Sequence, residues 1–422
     1  MIQASNFSLD KIGNHLIAKC DVAGPGLPKM LWFAAETDDE SALEIDEPNW
    51  AAVALLYPAM GLGQDLEIKA KISPRLLFNL NNDVQHLFQT FNPNLKKIRV
   101  IAETGDPKIY ASDLKRHAIT GFSGGVDSSA TYVLYSGKDV PESMRISALS
   151  IYDVGALGRT PKNPSFEHLQ PHYDKLKSFC DTREIEAFGI SSNLRQIFRP
   201  VRKNNLNLVF LAATVSLRNI AATMAMQNRV KYYYPSGARG YSDIGVSNVE
   251  SCELFEPVTD ALLSTESLFC QTGAAGLDRA EKIKLLSTVD FARTELNVCV
   301  GDSEQRGSSE FLNCGKCWKC VDTQFEADGM GVLKEFAHVF DINAFRENRD
   351  QMLESLIESN VSFEDEFHKK LFSIASLYET HQQDAPAKLL EITKQLKDGG
   401  AIPRNTPKAR PGALKRFIAK IR

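Results

Sequence analysis

Apolar positions along this chain alternate in short runs at first, and beyond residue 115 they fall into longer runs of two different periods. In residues 1–112 the runs are short (His15 to Val22, Met30 to Ala34, Leu66 to Ile72) and broken by Gly and Pro. Alternation places successive side chains on opposite faces of an extended chain, so these runs predict strands. Arg75 to Phe91 has helical spacing. Glu36 to Glu47 carries seven carboxylates and predicts a solvated loop or face. Residues 1–112 thus read as a separate β-rich or α+β N-terminal domain, of unknown role and without a recognisable catalytic motif.

From about residue 115 strands and helices take turns. His117 to Phe122, Ile146 to Tyr152, Ile185 to Ile190 and Val230 to Tyr234 read as strands. Ser129 to Lys138, Phe166 to Cys180 and Asn205 to Gln227 read as helices. Such alternation predicts an α/β fold with a parallel sheet covered by helices on both faces, and ligands in such sheets bind beyond the carboxyl ends of the strands. Two strand-end loops are therefore candidates for a nucleotide or substrate pocket: the one with Asp153 and the one with Gly237. An Asp or Gly that merely turns the chain is the equal alternative at both. Asp278, three residues before Glu281, forms a capping-box pattern and predicts a helix start. Arg279 and Lys282 on that helix either face a ligand or are ordinary surface charge. After Asp322 the pattern is helical (Val332 to Val339, Gln351 to Ile357, Phe367 to Tyr378, Ala387 to Leu396). The final segment, Arg404 to Arg422, has seven basic residues and no acidic one. It reads as a solvated end, with a contact to nucleic acid or an acidic partner as the alternative.

Composition narrows this picture only modestly. The 422 residues, 43% apolar and 24% charged, suit a globular protein with two or three domains. A net charge of −4 gives no overall attraction to nucleic acid, although a local basic patch stays compatible with it. The first residues lack the basic and apolar regions of a signal peptide, and the longest apolar stretch, Ala51 to Tyr57, is too short to span a bilayer. The expectation is a cytoplasmic protein without membrane contact and with reduced thiols. Nothing in the sequence fixes the oligomeric state.

The strongest chemical signal is Ser123-Gly124-Gly125-Val126-Asp127-Ser128, followed by Ser129, between a predicted strand and a predicted helix. Small residues let backbone N–H groups approach a ligand, and a following helix adds unpaired N–H groups and a positive dipole end. Ser123, Ser128 and Ser129 offer hydroxyl donors and Asp127 an acceptor, so the stretch is a candidate phosphate or pyrophosphate site. A Ser/Gly turn without a ligand is the alternative. A Walker A loop fits poorly, because no lysine follows the glycines to hold the β- and γ-phosphates.

The second signal is Cys314-Gly-Lys-Cys317-Trp-Lys-Cys320, with Cys299 fifteen positions upstream of it. Four thiolates suit structural zinc, and the Gly/Ser-rich loop Gly301 to Ser309 lets Cys299 fold back as fourth ligand. An iron–sulfur cluster is the rival, although the fourth cysteine of the ferredoxin run is missing. Cys20, Cys180, Cys252 and Cys270 read as ordinary buried thiols.

The SGGxDS loop resembles that of the PP-loop ATP pyrophosphatases, of the adenine nucleotide alpha hydrolase-like (HUP) fold. With the downstream cysteine knuckle, residues 115–325 resemble the 7-cyano-7-deazaguanine synthases (QueC/ExsB). The resemblance implies an ATP-binding ligase in which Ser123, Gly124, Gly125, Asp127 and Ser128, with Val126 and Ser129 beside them, cradle the β,γ-pyrophosphate. It implies Mg²⁺ on the phosphates and catalytic roles for Asp127 and Ser123, and relatives often carry a basic residue near Lys282; Asp153 and Gly237 are nucleotide-contact candidates from their strand-end positions alone. A substrate carboxylate, such as a 7-deazapurine acid, would be adenylated and then captured by an amine or ammonia to give an amide or nitrile; no protein base is assigned. A protein or nucleic-acid acceptor, a tRNA-modifying adenylase and a catalytically silent nucleotide-binding scaffold stay open. The implied organisation is 1–112 N-terminal domain, 113–298 PP-loop domain, 299–325 four-cysteine zinc knuckle and 326–422 helical region with the basic tail. Those synthases are about half this length, and they usually carry an Arg where this chain has Thr323, so a substrate other than free 7-carboxy-7-deazaguanine stays open.

Overall fold

The computed structural model describes residues 1–106, 108, 110, 114–155, 157, 163–203, 214–245, 252–301, 306–307, 309–359 and 364–398. The basic segment 404–422, residues 205–213 of the expected long helix, and residues 302–305 and 308 of the Gly/Ser loop lie outside the described residues. The described residues hold fourteen α-helices, and no helix among them is long and apolar enough to cross a membrane. Among the described residues two compact units emerge: Met1–Phe122 with Thr131–Gly276, and Ser123–Ala130 with residues 277–398.

The first unit is α/β and is organised by one ten-stranded, mostly parallel sheet. In chain order its strands are β1 (Ile2–Ile12), β2 (His15–Ala23), β3 (Met30–Glu36), β4 (Leu66–Ile72), β5 (Val100–Thr104), β6 (His117–Gly121), β7 (Ile146–Asp153), β8 (Glu186–Ser192), β9 (Val230–Tyr234) and β10 (Phe269–Cys270). Their spatial order is β10-β9-β6-β7-β8-β3-β2-β1-β4-β5. β6 to β9 are mutually parallel, as the alternating pattern predicts, and the two-residue strand β10, which the sequence reading did not include, joins them in parallel beside β9. β1, β2 and β3 form an antiparallel meander, and β4 and β5 continue it in parallel from β1.

The sheet runs across the boundary that the sequence reading draws at residue 112. β3 pairs antiparallel with β8, with Phe33 opposite Ser192 and Ala35 opposite Ile190. The physical reason lies in β3 itself. Its residues 31–35 are all buried, so the strand is apolar on both faces and suits the middle of a sheet better than an outer edge. Asn193 fastens the joint: its Oδ1 accepts from Trp32 N at 3.0 Å and its Nδ2 donates to Met30 O at 2.7 Å. One hydrophobic core accordingly takes side chains from Ile2 through to Cys270.

Helix α1 (Asn49–Leu62) absorbs the apolar stretch around Ala51 to Tyr57. Every residue from Asn49 to Met60 is buried, and the helix packs against α6 (Leu194–Lys203) and α7 (Val215–Ala225). Its sequence carries no amphipathic period because it has no solvent face. The expected helix over 75–91 is two helices, α2 (Pro74–Asn81) and α3 (Asp83–Phe91), which break at Asn82 with φ −118° and ψ −99°. α5 (Gln170–Asp181) and α8 (Glu256–Leu262) complete the helices of this unit apart from α4, which begins in the glycine segment described below.

The second unit is helical. It contains α9 (Arg279–Leu286), α10 (Asp290–Glu295), α11 (Trp318–Gly329), α12 (Ile342–Ser359), α13 (Glu364–Thr380) and α14 (Ala387–Lys397). α11 packs against α9, α12 and α13, and Phe325 meets Phe345 edge-on at 5.1 Å. The apolar run 332–339 forms only a 3₁₀ turn, Leu333–Phe336.

Candidate functional site

The serine–glycine segment folds as a tight turn into a helix. Gly124 has φ +77°, a conformation that costs an L side chain, and its carbonyl accepts from Asn297 N at 2.8 Å. The serines then close the turn. Ser123 Oγ accepts from Gly125 N at 3.4 Å, while Ser128 Oγ donates to Gly125 O at 3.2 Å and accepts from Ser123 N at 3.3 Å. Ser129 N donates to Gly125 O at 3.0 Å as the first helical bond. Helix α4 (Val126–Ser136) therefore starts inside the motif, three residues before the expected Ser129, and Asp127 lies in its first turn. Ser123 is exposed, Gly124, Gly125 and Asp127 are half-buried, and Val126, Ser128 and Ser129 are buried. Ser129 Oγ has no hydrogen-bond partner among the described residues.

The two glycines are small for different reasons. Gly124 is required by its backbone angle. Gly125 has no positive φ, and a Cβ there would meet nothing closer than Ser123 Oγ at 3.4 Å and Asn297 O at 3.8 Å. Packing within the protein leaves room for a side chain at 125.

Helix α9 supplies the cations around Asp127. Its start is fixed by both bonds of the capping box: Glu281 N donates to Asp278 Oδ1 at 2.7 Å, and Asp278 N donates to Glu281 Oε2 at 2.8 Å. Arg279 and Lys282, three residues apart, then share one helix face. Lys282 Nζ lies 3.2 Å from Asp127 Oδ1, and Arg279 Nη1 lies 3.7 Å from Asp127 Oδ2. The Lys282 side chain is 1% exposed, which sets aside the reading of ordinary surface charge. Arg279 also reaches Glu326 Oε2 at 3.0 Å, Asp322 Oδ2 at 3.5 Å and Thr323 Oγ1 at 3.0 Å. Lys370 pairs with Asp322.

Three cations and three carboxylates thus form one network. Burial opposes the charge on Arg279, but Glu326, Asp322 and Asp127 outweigh it and hold the guanidinium protonated. Burial, with the like charge of Asp322, pushes Glu326 up to about 7 against the pull of Arg279. Asp322, Glu326 and Lys370 were not legible as site residues, since polar residues on a helix look like a solvated face, and Asn297 lies in a loop with no motif to mark it. Thr323 receives Arg279 through its Oγ1.

The four cysteines meet as expected. Cys299, Cys314, Cys317 and Cys320 are buried, with all four sulfurs within 4.8 Å of one another. The Cys317–Cys320 sulfurs are 3.4 Å apart and the Cys314–Cys320 sulfurs 3.9 Å. Tetrahedral Zn–S bonds of about 2.3 Å place sulfurs about 3.8 Å apart, so the group could hold a zinc ion. Gly315, at φ +69°, turns the knuckle, and Gln324 Nε2 donates to Gly315 O at 3.0 Å and to Cys320 O at 3.1 Å. Asn313 joins the knuckle to the Cys299 segment: its Oδ1 accepts from Val298 N at 2.8 Å and its Nδ2 donates to Leu296 O at 2.8 Å. A hydrogen bond from the Cys320 thiol pulls Cys317 down to about 4, and the same contact pushes Cys320 up.

Asp153 and Gly237 belong to the first unit, and their local contacts account for both. Asp153 Oδ1 accepts from Gly155 N at 3.2 Å, and its Oδ2 lies 3.2 Å from His168 Nδ1. These contacts tie the turn after β7. At Gly237 a Cβ would come within 2.4 Å of Thr272 Cγ2, so packing alone demands glycine. Cys20, Cys180 and Cys270 are buried free thiols; burial pushes Cys180 up to about 12. The side chain of Cys252 lies outside the described residues. In comparisons with known proteins, the chain matches no family model, no curated protein and no solved structure.

Proposed function

We propose that the protein is an ATP-dependent, QueC-like enzyme of the PP-loop type that adenylates a carboxylate substrate and then joins it to nitrogen. The observation that carries this reading is the glycine segment: a serine-closed turn into a helix start, whose one carboxylate, Asp127, is held by the buried ammonium of Lys282 and by Arg279. A helix N-terminus favours phosphate oxygens, and the open Cβ position at Gly125 lets them come close to the backbone.

The β,γ-pyrophosphate rests on residues 123–129, with the Ser123 hydroxyl and backbone N–H groups as donors. A substrate carboxylate oxygen attacks the α-phosphorus in line; the new O–P bond forms as the α–β bridging bond breaks, and pyrophosphate leaves with the negative charge. The loop and the cations of α9 stabilise that charge, so catalysis is positioning and electrostatics without an enzyme nucleophile. An amine or ammonia then attacks the acyl carbon, AMP leaves, and the nitrogen loses a proton; where the nucleophile is ammonia, the oxygen of the primary amide attacks the α-phosphorus of a second ATP with loss of pyrophosphate, and departure of AMP with the two remaining nitrogen protons gives a nitrile. Mg²⁺ would sit on phosphate oxygens, with Asp127 as the carboxylate beside it, and neutralise charge there. Zinc on Cys299, Cys314, Cys317 and Cys320 has no open position and supplies structure only.

Exchange of labelled pyrophosphate into ATP tests this reading across 7-carboxy-7-deazaguanine, amino acids and tRNA. Exchange that depends on a free carboxylate is expected. Exchange only with tRNA would transfer the chain to the tRNA-modifying adenylases, and exchange with no substrate would overturn adenylation.

A further inference from the structure

The glycine loop and the four-cysteine cluster are joined by two short routes within the second unit. One runs through Asn297. Its backbone N–H donates to Gly124 O at 2.8 Å, and its side-chain Oδ1 accepts from Cys299 N at 3.3 Å. Asn313, the residue before Cys314, fastens the same segment to the knuckle through its bonds with Leu296 and Val298. The other route runs along α11. Cys320 sits in its first turn, and Asp322, Thr323 and Glu326 on the same helix hold Arg279, whose guanidinium reaches Asp127.

These routes begin at two cysteines far apart in sequence and end on two neighbouring parts of one loop, the Gly124 carbonyl and the Asp127 carboxylate. Four sulfurs within 4.8 Å attract a cation and, once ionised, repel one another in its absence. A bound cation therefore fixes the spacing between the Cys299 segment and the start of α11. We infer that the cysteine cluster is a brace for the glycine loop: its metal sets the positions of Asn297 and Arg279, and these set the Gly124 carbonyl and the Asp127 carboxylate. Asn297 and Arg279 are positioning residues, and loss of the metal loosens residues 123–129. The consequence for ATP rests on the adenylation reading; the consequence for loop order does not.

Amide hydrogen exchange on the full chain, read in peptides covering 121–131, tests the brace. Zinc is removed with a chelator and then restored, and Asn297→Ala and Asn297→Asp are compared without chelation, with zinc content measured in every sample. Chelation and N297A are each expected to speed exchange in the loop by about tenfold, while N297D, which keeps an acceptor for Cys299 N, stays near wild type. Peptides of β7 serve as the control and stay unchanged. Loop exchange that stays at the wild-type rate after the zinc has left, or in N297A, overturns the brace. Should chelation unfold the whole unit, the zinc-retaining N297A protein decides. Calorimetric titration with Mg-ATP separates the two claims. Weakening of ATP binding by about tenfold in N297A supports both. A zinc-loaded wild type that binds no ATP, yet shows the expected loop exchange, removes the adenylation reading and keeps the brace.

Discussion

At the scale of single residues, the two loop glycines separate a folding demand from a binding demand. Gly124→Ala places an L side chain at φ +77° and should lower stability by about 1 kcal/mol in a thermal or urea melt. Gly125→Ala meets no close contact, so it should melt like wild type yet lose nucleotide affinity. A G125A protein with unchanged ATP affinity would mean that nothing approaches that backbone. Asp260 makes a separate prediction in the first unit. It is buried, its Oδ2 accepts from Thr272 Oγ1 at 2.6 Å, and burial raises its pKa from 3.8 to about 7. A carboxyl raised on folding stabilises its protonated form. Its contribution is therefore complete below pH 3.8 and fades as the pH rises through about 7. Urea melts across that range should show a shallower fall in stability for Asp260→Asn than for wild type, and equal slopes would remove the assignment.

Elements are where the sequence was most readable and where its silences have physical causes. Strands β6 to β9 follow from short apolar runs that alternate with helical segments, as in a parallel sheet buried on both faces. The start of α9 follows from Asp278 and Glu281. Replacing Asp278 by Ala should cost about 1 kcal/mol and weaken the hold of Arg279 and Lys282 on Asp127, measured by melting and by nucleotide titration together. α1 stayed hidden because a helix buried on all sides has no period to detect. The partners of Arg279 stayed hidden because Asp322, Thr323 and Glu326 look like the polar face of a solvated helix until α9 is packed against them. The cysteine spacing was legible in full, since three cysteines at two-residue intervals converge wherever the chain goes. Elemental analysis of the purified protein should find about one zinc per chain in a colourless solution. A brown protein containing iron would replace zinc with a cluster.

For the whole molecule, the α/β class was legible, but its extent was not. Gly and Pro breaks before residue 112 suggested a separate domain, whereas the edge of β8 and the doubly buried strand β3 extend one sheet through it. Pairing between strands distant in sequence leaves no local mark on either of them. The glycine loop belongs instead to the compact unit that also holds α9, α11 and the cysteines, which gives the proposed chemistry its local support. That chemistry turns on attack at the α-phosphorus of ATP. Separating the nucleotide products after incubation with Mg-ATP, a carboxylate that supports exchange, and ammonia shows where the attack falls. AMP and pyrophosphate are expected in equal amounts with wild type, and neither with a folded Asp127→Ala protein. ADP and inorganic phosphate would contradict attack at that atom.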